Sequence, residues 1–114
     1  MTTILLCDDE PFLLDLIAEE LKELGYKVLT AGSGNEGLEI LKNNQVDIII
    51  SDVNMPNGKG TSLINNMRDV PIIFVSGFVD ADMEIIGNCP IINKPITDFS
   101  QLEYHIKRLL SNKK

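Results

Sequence analysis

A short apolar run followed by a helical pattern recurs five times along this chain, and that alternation constrains its fold more than any other feature. The runs begin near Thr3 (TILLC), Lys27 (KVLTA), Asp47 (DIIIS), Pro71 (PIIFVS) and Pro90 (PIIN). Each is rich in Ile, Val or Leu without strict apolar–polar alternation, the pattern of strands buried on both faces. Their starts lie about 20 to 24 residues apart, which leaves room for a crossover helix where a hairpin needs only a few residues.

The intervening segments carry helical periodicity. Leu13, Leu14, Ile17, Leu21 and Leu24 form an apolar stripe that Gly25 stops. Ser33 or Gly34 caps the second segment, whose apolar side is Leu38, Ile40 and Leu41. Leu63, Ile64 and Met67 serve the third, and the fourth, residues 80–86 before Gly87, is short. The fifth opens at Asp98 and Gln101, turns Leu102, Ile106, Leu109 and Leu110 inward, and closes near residue 111.

Five such units predict an α/β fold with an open, five-stranded, doubly wound parallel sheet, because right-handed crossovers cover both faces. The flavodoxin-like strand order 2-1-3-4-5 is natural for five strands in 114 residues, here with a shortened fourth helix. Its topological switch lies between strands one and three, and ligands bind beyond the carboxyl ends there.

Composition narrows the function classes. A chain of 114 residues, 44% hydrophobic and 24% charged, reads as one globular domain over residues 1–114. With the fifth helical segment closing near residue 111, no output domain is expected. Cys7 and Cys89 are too few for a disulfide scaffold and lack metal-ligand spacing, so a reduced cytoplasmic protein is expected. No apolar run exceeds four residues (Ile4–Cys7, Ile72–Val75), too short for a membrane span, and Met1-Thr2-Thr3 begins no export signal. A net charge of −7 opposes binding to nucleic acid. The excess is concentrated, since residues 8–23 carry seven acids and one base, Lys22.

The residues at the carboxyl end of each strand are then the informative ones. Strand one ends in Asp8-Asp9-Glu10, strand three in Ser51-Asp52 before Val53-Asn54-Met55-Pro56, strand four in Ser76-Gly77 and strand five in Asn93-Lys94-Pro95. In the predicted order Asp8, Asp9 and Asp52 converge at the switch point, with Lys94 and Ser76 on the other side. Crowded carboxylates resist joint ionisation unless a cation sits among them. One lysine cannot neutralise three acids, whereas Mg²⁺ can, using carboxylates, waters and phosphate oxygens. The Asn54 carbonyl is a candidate further ligand. Asp52 would be the nucleophile for an acyl phosphate, Lys94 a point charge on the phosphoryl group and Ser76 a hydrogen-bond donor to it.

These residues resemble the receiver domain of two-component response regulators, the CheY-like family, over the whole chain. The acidic pair Asp8-Asp9, Asp52-x-x-Met55-Pro56 with Gly60 beyond it, Ser76-Gly77 and Lys94-Pro95 stand in family order. The resemblance implies that Asp52 accepts a phosphoryl group from a histidine kinase or phosphotransfer protein. It implies Mg²⁺ held by Asp8, Asp9, Asp52 and the Asn54 carbonyl, a cis Lys94–Pro95 bond, and output by contact with a downstream protein. Two features depart from the family. Ile91 stands where an aromatic residue is usual, three positions before the lysine, and the Ser76–Lys94 interval is short. Phe78 is a candidate for the missing aromatic role.

Other readings of the same residues stand beside this one. Asp8-Asp9-Glu10 before Pro11 also suits the opening of a helix, and Asp52 suits a turn ahead of Asn54, Asn57 and Gly58. Gly32-Ser33-Gly34 is a strand-to-helix turn rather than a phosphate loop, because no Gly-Lys-Ser/Thr comes after it. Cys7 reads as a buried apolar residue, and His105 as a solvated residue of the last helix. The departures favour a rival, a receiver-like docking module that works without phosphorylation. An aspartate-nucleophile phosphatase would need an Asp-x-Asp pair, which neither Asp8-Asp9 nor Asp52-Val53-Asn54 supplies.

Overall fold

The computed structural model describes residues 2–52, 70–76, 91–93 and 99–111. In chain order these form β1 (Thr3–Cys7), α1 (Pro11–Glu23), β2 (Lys27–Ala31), α2 (Gly34–Asn43), β3 (Ile48–Asp52), β4 (Ile72–Ser76), β5 (Ile91–Asn93) and α3 (Phe99–Ser111). The segments expected as third and fourth helices, including the shortened one, lie outside the described residues, so α3 is the fifth helical segment of the sequence. All strand pairs are parallel, in the order β2-β1-β3-β4-β5.

Strand periodicity sorts the core into two layers. Ile4, Leu6, Ile48, Ile50, Ile73 and Val75 pack on one face of the sheet with Ile17, Ala18 and Leu21 of α1 and Leu102 and Ile106 of α3. Leu5, Cys7, Ile49, Ile72 and Phe74 pack on the other, where Leu38, Ile40 and Leu41 of α2 cover them. Helices on both faces explain why the strand sequences do not alternate: every residue of β3 and all but the first of β1 are buried. Each such Ile or Leu contributes about 1.5–3 kcal/mol of burial. β2, at the sheet edge, is buried only at Ala31.

Local sequence sets the helix ends. Pro11 occupies the first turn of α1, after an extended Glu10 whose side chain makes no capping hydrogen bond. No acid lies in that first turn, so Asp8, Asp9 and Glu10 precede the helix instead of decorating it. At the other end Gly25 has φ of 97°. Gly25 N–H donates to Lys22 O at 3.0 Å and Tyr26 N–H to Leu21 O at 3.2 Å, the Schellman pairing that a left-handed glycine permits. Leu24, expected on the apolar stripe, is 43% exposed, because the helix stops at Glu23 and Leu24 belongs to this turn. Ser33, not Gly34, caps α2: its Oγ accepts from Glu36 N–H at 3.1 Å, while Glu36 Oε1 accepts from Gly32 N–H at 3.1 Å.

His105 is half-buried on α3, more enclosed than the sequence suggests. Its ring meets Tyr104 edge-on with centroids 5.3 Å apart, and Arg108 Nη2 lies 3.2 Å from its Nδ1. Burial, and then the Arg108 charge, lower its pKa. No described helix is long and apolar enough to cross a membrane.

Candidate functional site

The register of the two central strands builds the site. Cys7 of β1 stands opposite Ser51 of β3, so Asp8 and Asp52 occupy the next position on each strand, at the carboxyl edge. Asp52 in turn faces Val75 of β4. Asp8 N–H donates to Ala31 O at 3.0 Å, carrying the β1–β2 ladder one residue further. Its Oδ1 accepts from Glu10 N–H at 2.9 Å, an Asx turn that fixes the carboxylate as the chain leaves the sheet. Ser51 Oγ donates to Asp52 O at 2.9 Å.

Asp8 and Asp52 are 3% and 8% exposed, the two charged residues in the described core. Asp9 and Glu10 are exposed. Carboxylate oxygens of Asp8, Asp9 and Glu10 lie within 4.8 Å of one another. Glu10, named in the sequence only as part of the strand end, thus stands in the cluster with the two expected ligands. Its signal was its position, two residues beyond Asp8, which also supplies the Asx-turn donor. Asp52 is brought to the same edge by register and is not a member of that three-residue group.

Burying carboxylates is unfavourable unless they are compensated, and gathering several raises the cost. An all-oxygen donor set of this kind suits a hard cation such as Mg²⁺ better than zinc, which prefers nitrogen and sulfur. Cys7 offers no competing nucleophile. Burial first, then the charges of Glu36 and Asp8, push its thiol from 9.0 to about 12, keeping it protonated at neutral pH.

The remaining expected residues are placed in part. Ser76 ends β4, and its backbone is in register with Asn93 of β5, so the described strand ends share one edge of the sheet. Asn54, Lys94 and Pro95 lie outside the described residues, as do Met55, Pro56, Gly60 and Phe78.

The sequence profile of the response regulator receiver domain matches residues 4–107. This chain belongs to the receiver domain family. The sensor histidine kinase RcsC of Escherichia coli (strain K12) is 42% identical over 102 residues, covering 82% of this chain and 11% of the kinase. The two-component response regulator ARR11 of Arabidopsis thaliana is 35% identical over 104 residues, covering 82% of this chain and 20% of the plant protein. The receiver therefore spans a small part of the length of these relatives. The response regulator TrrA of Thermotoga maritima, crystallised in complex with Mg²⁺–BeF, aligns with a TM-score of 0.85 at 30% identity over 96% of this chain and 99% of that chain. The fold is thus the flavodoxin-like one of CheY-like proteins. Receiver domains are signalling switches of histidine kinase phosphorelays rather than classical enzymes.

Proposed function

We propose that this receiver domain is a phosphoacceptor switch with Asp52 as the acceptor. The observation that carries the reading is the buried Asp52 carboxylate at the end of β3, level with the buried Asp8 at the end of β1. A carboxylate at the end of a strand is a competent nucleophile for an acyl phosphate. The bond formed joins an Asp52 carboxylate oxygen to phosphorus. The bond broken is phosphorus–nitrogen in a phosphohistidine donor, and a proton from solvent completes the departing imidazole. A histidine kinase or phosphotransfer protein would supply that donor, and a downstream protein would read the result by reversible contact. A cytoplasmic setting fits the sparse cysteine content.

Asp8, Asp9 and Asp52, with the Asn54 carbonyl, would hold Mg²⁺. The oxygen-rich cluster at Asp8 and Asp9 supports this, as does the Mg²⁺ in the TrrA crystals. When bound, the ion would offset charge on the phosphoryl oxygens. The Asx turn at Asp8 holds that carboxylate in place for the task. Lys94 is assigned to charge balance and Ser76 to a hydrogen bond on the phosphoryl group, both from their places in the sequence. No general acid is required of the protein, which distinguishes this reading from a phosphatase.

Intact mass spectrometry tests the reading. With Mg²⁺ and a small acyl phosphate donor, the protein is expected to gain one labile phosphoryl group, and the Asp52→Asn variant none. Absence of an adduct would leave a docking module that works without phosphorylation. Repeated turnover of phosphomonoesters would mean a phosphatase.

A further inference from the structure

The turn from β2 into α2 brings a further acid to the carboxyl edge of the sheet. Glu36 stands in the first turn of α2, and both its backbone and its side chain are tied down. Its N–H donates to Ser33 Oγ at 3.1 Å, and its Oε1 accepts from Gly32 N–H at 3.1 Å. The carboxylate is therefore held in one place, where a free surface glutamate samples several rotamers.

That place is beside Asp8. The peptide unit between Ala31 and Gly32 serves both residues: its carbonyl accepts from Asp8 N–H at 3.0 Å, and its N–H donates to Glu36. One peptide thus separates the Glu36 carboxylate from the Asp8 backbone. Burial, and then the Glu36 charge ahead of that of Asp8, raise the pKa of the Cys7 thiol, so the field of Glu36 is felt at the end of β1. Glu36 is not a member of the Asp8, Asp9 and Glu10 group. A capping box needs only a side-chain oxygen at this position, and Gln supplies one as well as Glu. The negative charge is the extra element, and beside acids already gathered it is unfavourable until a cation binds.

We propose that Glu36, through its charge and without ligating the ion, raises the affinity of the carboxyl-edge site for a divalent cation. The inference rests on the Mg²⁺ reading given above for Asp8, Asp9 and Asp52. Glu36 is exposed, so its influence passes partly through solvent and is screened by salt over a Debye length of about 10 Å at 0.1 M.

Isothermal titration calorimetry with Mg²⁺ tests this. Glu36→Gln is expected to bind Mg²⁺ about fivefold more weakly than wild type at about 0.01 M salt, and to come within about twofold of it at about 1 M. Ser33→Ala breaks the other half of the capping box and keeps the charge, so it should melt lower by circular dichroism with Mg²⁺ affinity unchanged. Glu23→Gln makes the same change in net charge at the far end of α1, about 18 Å along the helix from Pro11, and should leave affinity unchanged. The inference is overturned if Glu36→Gln binds Mg²⁺ as tightly as wild type at low salt, or if its loss of affinity persists at high salt. It is equally overturned if Ser33→Ala or Glu23→Gln weakens binding as much as Glu36→Gln does. A wild-type protein that takes up no Mg²⁺ would overturn the Mg²⁺ reading itself, and the inference with it.

Discussion

Cys7 and Ser51 face one another across the parallel β1–β3 ladder, and that one pairing puts Asp8 and Asp52 at the same level on the two central strands. A slip of one residue would turn each strand's side chains to the opposite face. Ile4, Leu6, Ile48 and Ile50 on one side, and Leu5 and Ile49 on the other, hold the register by their burial. The packing of the core and the placement of the acids are therefore one constraint.

The cluster at the end of β1 predicts that Mg²⁺ stabilises the fold. At an ion concentration of about 100 times Kd, mass action adds about 2.7 kcal/mol to unfolding. Asp8→Asn keeps an oxygen for the Glu10 N–H and removes the charge, so most of this increment should vanish in the variant. Thermal melts with and without Mg²⁺ measure it. An equal rise in Tm for both proteins would remove Asp8 from the ion site.

Cys7 makes stability fall at high pH. Its thiol binds a proton more tightly in the folded chain, with a pKa raised from 9.0 to about 12 by burial, then by Glu36 and Asp8. The contribution is fully present below the ordinary pKa and is lost as pH rises from there through the folded value. Cys7→Ala is expected to lose less stability than wild type across that window, although it starts lower at neutral pH because of the lost packing. Urea unfolding of both proteins at neutral and alkaline pH gives the difference in slope.

Two phenylalanines should answer differently to the same substitution. Phe74 is fully buried between β3 and β5, and Phe74→Ala is expected to cost about 3–5 kcal/mol. Phe12 is almost wholly in solvent, so Phe12→Ala should stay within about 0.5 kcal/mol of wild type. Denaturant midpoints at unchanged m-value test both.

Gly25→Ala should destabilise by about 1–2 kcal/mol. The space around Gly25 is open, with nothing within 4 Å of an added Cβ, so the cost is conformational: φ of 97° disfavours a side chain. Ala at Gly32, where the space is also open and φ is not positive, should show no such penalty. Since neither site offers a steric clash, the difference between the two variants isolates the backbone strain at Gly25.

Much of the fold was readable in the residues because both of its periodicities are strong. Runs such as DIIIS are too uniformly apolar for a solvent-facing strand, and β3 is indeed buried throughout. Ile17 and Leu21, and Leu102 and Ile106, announce the inner sides of α1 and α3 by their spacing. The acids of the site were legible because each stands at the end of a strand. Less legible was Leu24, which continues the apolar spacing of α1 and yet lies in the turn that Gly25 creates. Spacing counts residues along a helix and does not see where the helix ends.

Among the described residues, the amino-acid order alone determined which segments become strands, which become helices, and that Asp8, Asp9 and Asp52 stand at strand ends. Only the tertiary structure decided that Asp8 is buried while its neighbour Asp9 is exposed, and that one phenylalanine fills the core while another meets water. Adjacent acids have the same chemistry, and so do two phenylalanines. What divides them is which side the pleat turns and which neighbouring element stands there, and both are set by how distant segments pair.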